Sequence, residues 1–153
     1  MTTIFGLPAH ALLVHAIVVL APLTAMLEIL CALWPAARRR LVWLVLAFAV
    51  AVMVLTPLTT SAGQWLYNQL PEHAAILETH QERGQWMIYI AIALLVVAAV
   101  QAIQHWVESR SSEPKRVLAA VAALLAVVIG GLSTVGVVLI GDAGAQAVWG
   151  ERE

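Results

Sequence analysis

Two histidines, His10 and His15, open an apolar stretch in the run Gly6-Leu-Pro-Ala-His-Ala-Leu-Leu-Val-His15. An imidazole can ligate a transition metal or haem iron through a ring nitrogen, or carry a proton near neutral pH. A ring placed beside hydrocarbon is costly, so such a histidine marks a candidate functional position. Residues five apart on a helix are turned by roughly 140°, whereas ligands that share a face stand three or four apart. His10 and His15 therefore make no metal pair by themselves. His15 lies roughly 7.5 Å deeper by helical rise, which makes it the leading ligand or proton carrier. His10, in the first turn after Pro8, is its helper.

The remaining chemistry-bearing residues are few. His80 stands in Glu78-Thr-His-Gln-Glu-Arg-Gly84 and could meet His15 if their helices pack together. Asp142 could accept from one imidazole and so fix its tautomer. The set considered for a metal is thus His10, His15, His80 and Asp142, with His15 and His80 as the pair for a cofactor. If His15 and His80 share one cavity the reading gains, and if they face lipid or opposite surfaces it fails. His73 reads as a surface residue, and His105, beside Trp106, as an interfacial one. Cys31 reads as a small buried hydrophobe. Glu28, inside an apolar run, must find a proton or a donor, with Gln101, Gln104 and His105 as candidate partners.

These residues are carried by an unusually apolar chain. Of its 153 residues 62% are hydrophobic and 11% charged, and the mean hydropathy is +0.91. Too little polar surface remains to cover a water-soluble domain, so the chain is read as an integral membrane protein in contact with a lipid bilayer. The net charge of -1 and the absence of a basic face exclude nucleic acid as an expected partner. Runs of about twenty apolar residues cross the hydrocarbon core. Four are found, at approximately 8–34, 41–67, 85–106 and 117–140, in a single domain spanning 1–153. The expected architecture is all-α, an antiparallel four-helix membrane bundle with a short amphipathic interfacial helix between helices 2 and 3.

Connections and charges orient it. Pro35-Ala-Ala-Arg-Arg-Arg40 and Val107 to Arg116 form two short basic loops on one side, while Arg83 and Arg152 lie on the other. The positive-inside bias makes the basic loops cytoplasmic and puts both termini outside. No cleaved signal peptide is expected, because no basic region precedes the first apolar run. The six tryptophans fall near span ends, as an aromatic belt requires. Pro22 and Pro57 interrupt helices 1 and 2, where kinks could open a pocket and nearby threonines could satisfy freed carbonyls. Gly130, Gly131 and Gly136 suit close helix packing.

Four stretches resemble the bacterial membrane family DUF2231. They are the His10 to His15 run with Pro22 and Glu28 after it, Thr59-Thr-Ser-Ala-Gly-Gln-Trp-Leu66, the His80 to Gly84 spacing, and Gly141-Asp-Ala-Gly-Ala-Gln-Ala-Val-Trp-Gly150. The resemblance covers nearly the whole chain and implies a four-helix protein of a bacterial inner (plasma) membrane. It departs at Ala11, where members often carry proline, at Gln64, where a carboxylate is common, and at Asp142, where a histidine can stand. Members occur beside cytochrome-like and copper-handling proteins, which implies a redox or metal-handling partner.

No serine elbow, zinc-protease helix, phosphate loop or haem-attachment motif is present, so no enzyme is expected. Four helices with few internal charges and no inverted-repeat signature argue against a transporter, unless the chain is a homo-oligomer. Two functions remain. One is electron transfer or metal handling with haem b or a transition metal ion held near the outer face. The alternative is a cofactor-free accessory or scaffolding subunit of a membrane complex.

Overall fold

Long runs of Ala, Val, Leu and Ile bond their own backbone internally as helices, the form a single segment must take in lipid. In the computed structural model, residues 3–4, 6–69, 75–110 and 116–150 are described, with Ile4 and Leu7 by backbone alone. The helices are α1 Ala9–Leu33, α2 Pro35–Tyr67, α3 Ala75–Gly84, α4 Met87–Ser109 and α5 Arg116–Trp149. Four segments are long and apolar enough to cross a membrane, the third taking in α3 and α4. A two-residue antiparallel pairing of Thr3–Ile4 with Leu7–Pro8 precedes α1, turning at Gly6, whose φ is +79°. His73 and the centre of the second basic loop lie outside the described residues.

The connections differ from expectation at two places. Pro35 takes the first position of α2, where its missing N–H is no loss. The three arginines that follow are therefore helical, and Trp34 alone separates α1 from α2. At the other end α5 continues through Gly141 and Asp142 to Trp149, because this last stretch packs against α3. Between α2 and α4 lies the ten-residue α3. It docks on α5, where Arg83 Nη1 donates to Leu139 O at 3.2 Å.

α1 packs on α2 and α5, α4 packs on the same two helices, and α1 meets α4 across the middle. Small side chains bring these helices close, among them Ala21, Ala25, Ala49, Ala91, Ala98 and Ala126, all buried. Gly130 and Gly136 seat Ile29 and Ile90. Large apolar side chains such as Val19, Val54 and Leu132 face outward, which suits lipid. All six tryptophans are exposed, and His105 lies edge-on to Trp43.

Burial also repeats along the chain. The buried positions Ile17, Ala21, Thr24, Glu28, Cys31 and Ala32 of α1 recur at one constant offset as Met87, Ala91, Leu94, Ala98, Gln101 and Ala102 of α4. In α2, Val45, Ala49, Val52 and Thr56 recur likewise as Ala126, Gly130, Ser133 and Val137 of α5. The bundle is thus two similar hairpins, α1–α2 and α4–α5, that run in the same direction. His10 opens the first hairpin, and His80, on α3 just ahead of α4, holds the equivalent place before the second.

At the opposite end Arg38 is not a free loop charge. Its Nη1 donates to Cys31 O near the end of α1 at 3.1 Å, and its Nη2 to Glu108 Oε2 at 2.7 Å. Gln104 Nε2 donates to the other oxygen of Glu108 at 2.8 Å. Arg38 is buried, so one guanidinium ties α1, α2 and α4 together. Glu108 is part-exposed and keeps Gln104, so Arg38→Ala loses a charge-assisted bond to each of two helices and is expected to cost about 2 kcal/mol. Exposed Arg39 offers the control: Arg39→Ala should change stability by less than about 0.5 kcal/mol. Denaturant unfolding in detergent micelles measures both.

Candidate functional site at the histidine end

His10 lies in the first turn of α1 and His80 midway along α3. Their rings approach edge-to-face, with centroids 6.1 Å apart and planes at 73°. Each ring is tied to the second helix of its own hairpin. His10 Nδ1 donates to Thr59 O at 3.0 Å, and His80 Nδ1 donates to Ile140 O at 3.1 Å. Thr59 and Ile140 are equivalent positions of the repeat.

Four residues beyond each of these carbonyls stands a glycine, Gly63 in α2 and Gly144 in α5. A Cβ on Gly63 would lie 2.8 Å from His10 Cε1 and Nδ1, and one on Gly144 would lie 2.9 Å from His80 Cε1. Real Cβ atoms do not approach so closely. Each imidazole therefore rests on a helix surface that only glycine leaves open.

The hydrogen bonds settle the ring chemistry. A carbonyl oxygen only accepts, so Nδ1 carries the hydrogen in both rings. In a neutral imidazole Nε2 then keeps its lone pair, the state that metal-binding histidines adopt when a backbone carbonyl holds the other nitrogen.

His15 and Asp142 are placed elsewhere. The five-residue spacing that separates His15 from His10 around α1 turns it outward, where it is exposed and donates from Nδ1 to Ala11 O of its own helix. Asp142 is exposed on α5 and accepts from Gln146 Nε2 at 2.8 Å. The carbonyls of Thr59 and Ile140 do the orienting instead. Among the described residues no group of three or more His, Cys, Asp or Glu side chains is arranged to hold a metal. The pair thus offers two ligands, too few for the four-coordinate site that zinc prefers. It suits a centre that needs only two protein ligands, such as haem iron with its porphyrin nitrogens.

Between α2 and the start of α4 lies an open groove of about 600 Å³ lined by Thr56, Pro57, Thr60, Ser61, Gln85, Trp86, Ile88 and Tyr89. The threonines of this region bond back along α2, Thr56 to Val52 O, Thr59 to Leu55 O and Thr60 to Thr56 O. None reaches Met53 O, the carbonyl that Pro57 leaves without its helical donor.

The chain was also compared with known proteins. Neither a curated protein nor a solved structure matches it. The model of one family, described as a predicted membrane protein, matches residues 6–152, which take in both histidines, both glycines and all four membrane-length segments. The chain belongs to the DUF2231 family of predicted membrane proteins.

Proposed function

We propose that this membrane protein binds one transition-metal centre through His10 and His80 and serves in electron transfer or metal handling. The observation that carries the reading is the facing pair itself. Two imidazoles from separate hairpins stand 6.1 Å apart, each with Nδ1 engaged by a backbone carbonyl. Haem b fits the two-ligand set best, and among bare ions Cu(I), which accepts low coordination, fits next. Either group would supply one-electron redox chemistry when bound. The chain's own part is to present Nε2, to fix each ring on its glycine, and to hold the pair where two hairpins meet.

The protein would sit in the inner (plasma) membrane of a bacterium, with the histidine end and both termini outside and the Arg38 end in the cytoplasm, as the basic residues direct. The open groove between α2 and α4 offers a surface to a membrane redox or metal-handling partner. Absorbance and metal content of protein purified in mild detergent test the reading. One haem or one metal ion per chain is expected, either as isolated or after addition of haemin or Cu(I). Protein that carries neither and takes up neither would leave the cofactor-free scaffold, in which the pair braces the two hairpins.

A further inference from the structure

A second polar position on α1 is remote from the histidine pair. Glu28 lies about 27 Å from His10 along the helix by helical rise, is fully buried, and among the described residues has no hydrogen-bond partner for either carboxyl oxygen. Gln101 donates from Nε2 to the backbone oxygen of Glu28 at 2.7 Å, so this amide serves the carbonyl and leaves the carboxyl alone. Gln101 Oε1 and, one turn on, Gln104 Oε1 are also buried without a donor. Three buried acceptor groups of α1 and α4 thus lack a hydrogen among the described residues, and the one buried donor in the same state is Arg38 Nε of α2. A single hydrogen on the Glu28 carboxyl would remove its charge.

The surroundings distinguish a proton from a metal cation. Arg38 of α2 directs its Nη groups to Cys31 O and Glu108, and both Arg38 and Glu28 act electrostatically on Cys31. A metal cation would find Glu28 alone, since among the described residues no group of three or more His, Cys, Asp or Glu side chains could hold one. α4 adds Glu108 and His105, and α5 brings no titratable side chain between Arg116 and Asp142. We propose that Glu28 is a proton-binding site within the membrane, held as a neutral carboxylic acid because its buried carboxyl finds no donor.

Infrared spectroscopy of the reconstituted protein at neutral pH tests this. A protonated-carboxyl carbonyl band amounting to one group per chain is expected, assigned to glutamate by isotope labelling and shifted in deuterium oxide. Glu28→Gln should remove it and Glu108→Gln should leave it. A band lost in Glu108→Gln, or no such band in the wild type, would overturn the proposal. Should Glu28→Gln fail to fold, the wild type and Glu108→Gln decide between these outcomes. Added sodium or potassium should not change the band, and its disappearance with either ion would show a cation in the proton's place. None of these readings depends on whether the histidines hold a metal.

Discussion

Replacing His10 or His80 by alanine is expected to abolish haem or metal binding, while His15→Ala binds as the wild type does. Loss of a partner that only orients a ligand already lowers metal affinity by roughly 10–100-fold. Removing one of two protein ligands must exceed that. Titration of each purified variant with haemin and with Cu(I) measures the effect. The fold should survive both changes. Thr59 O and Ile140 O lie inside helices and keep their helical donors, so each lost imidazole bond costs about 1 kcal/mol. Equal loss in His15→Ala would require a different set of ligands.

Gly63→Ala and Gly144→Ala should lower affinity by about 10–100-fold without touching a ligand. The new methyl would stand 2.8 Å from His10 or 2.9 Å from His80, so the ring must leave its carbonyl. Gly131→Ala, at a position where a Cβ meets nothing within 4 Å, is the control and should bind normally. Alanine favours helix over glycine by about 1 kcal/mol, so neither site variant should fail for want of helix propensity. A thermal melt read beside the titration separates displaced rings from lost fold.

The architecture was legible because a bilayer imposes a coarse rule, an apolar run of a set length, and all four runs obey it. Their ends were less so. Proline and glycine suggested breaks at Pro35 and Gly141, but Pro35 can open a helix and Gly144 makes room for His80, and neither use shows in composition. Which histidines come together was only partly legible. Depth favoured His15, yet the five-residue spacing that argued against a metal pair also means that when His10 faces the bundle His15 faces away. The partner carbonyls of Thr59 and Ile140 carry no sequence signal, since every residue has one. The glycines do carry one. Ala62-Gly63-Gln64 and Ala143-Gly144, with Gln146 close behind, are versions of one helix end. Drift in the apolar filler, Thr24 against Leu94 or Glu28 against Ala98, hides the rest of the repeat.

The central claim is that two imidazoles on one chain share one metal centre. X-ray absorption at the metal edge of the loaded protein counts imidazole ligands directly. The account predicts two histidine nitrogens per metal, and loss of that signal in a His10→Ala/His80→Ala double variant. A loaded wild type showing no imidazole ligation, or a double variant with an unchanged spectrum, would contradict it.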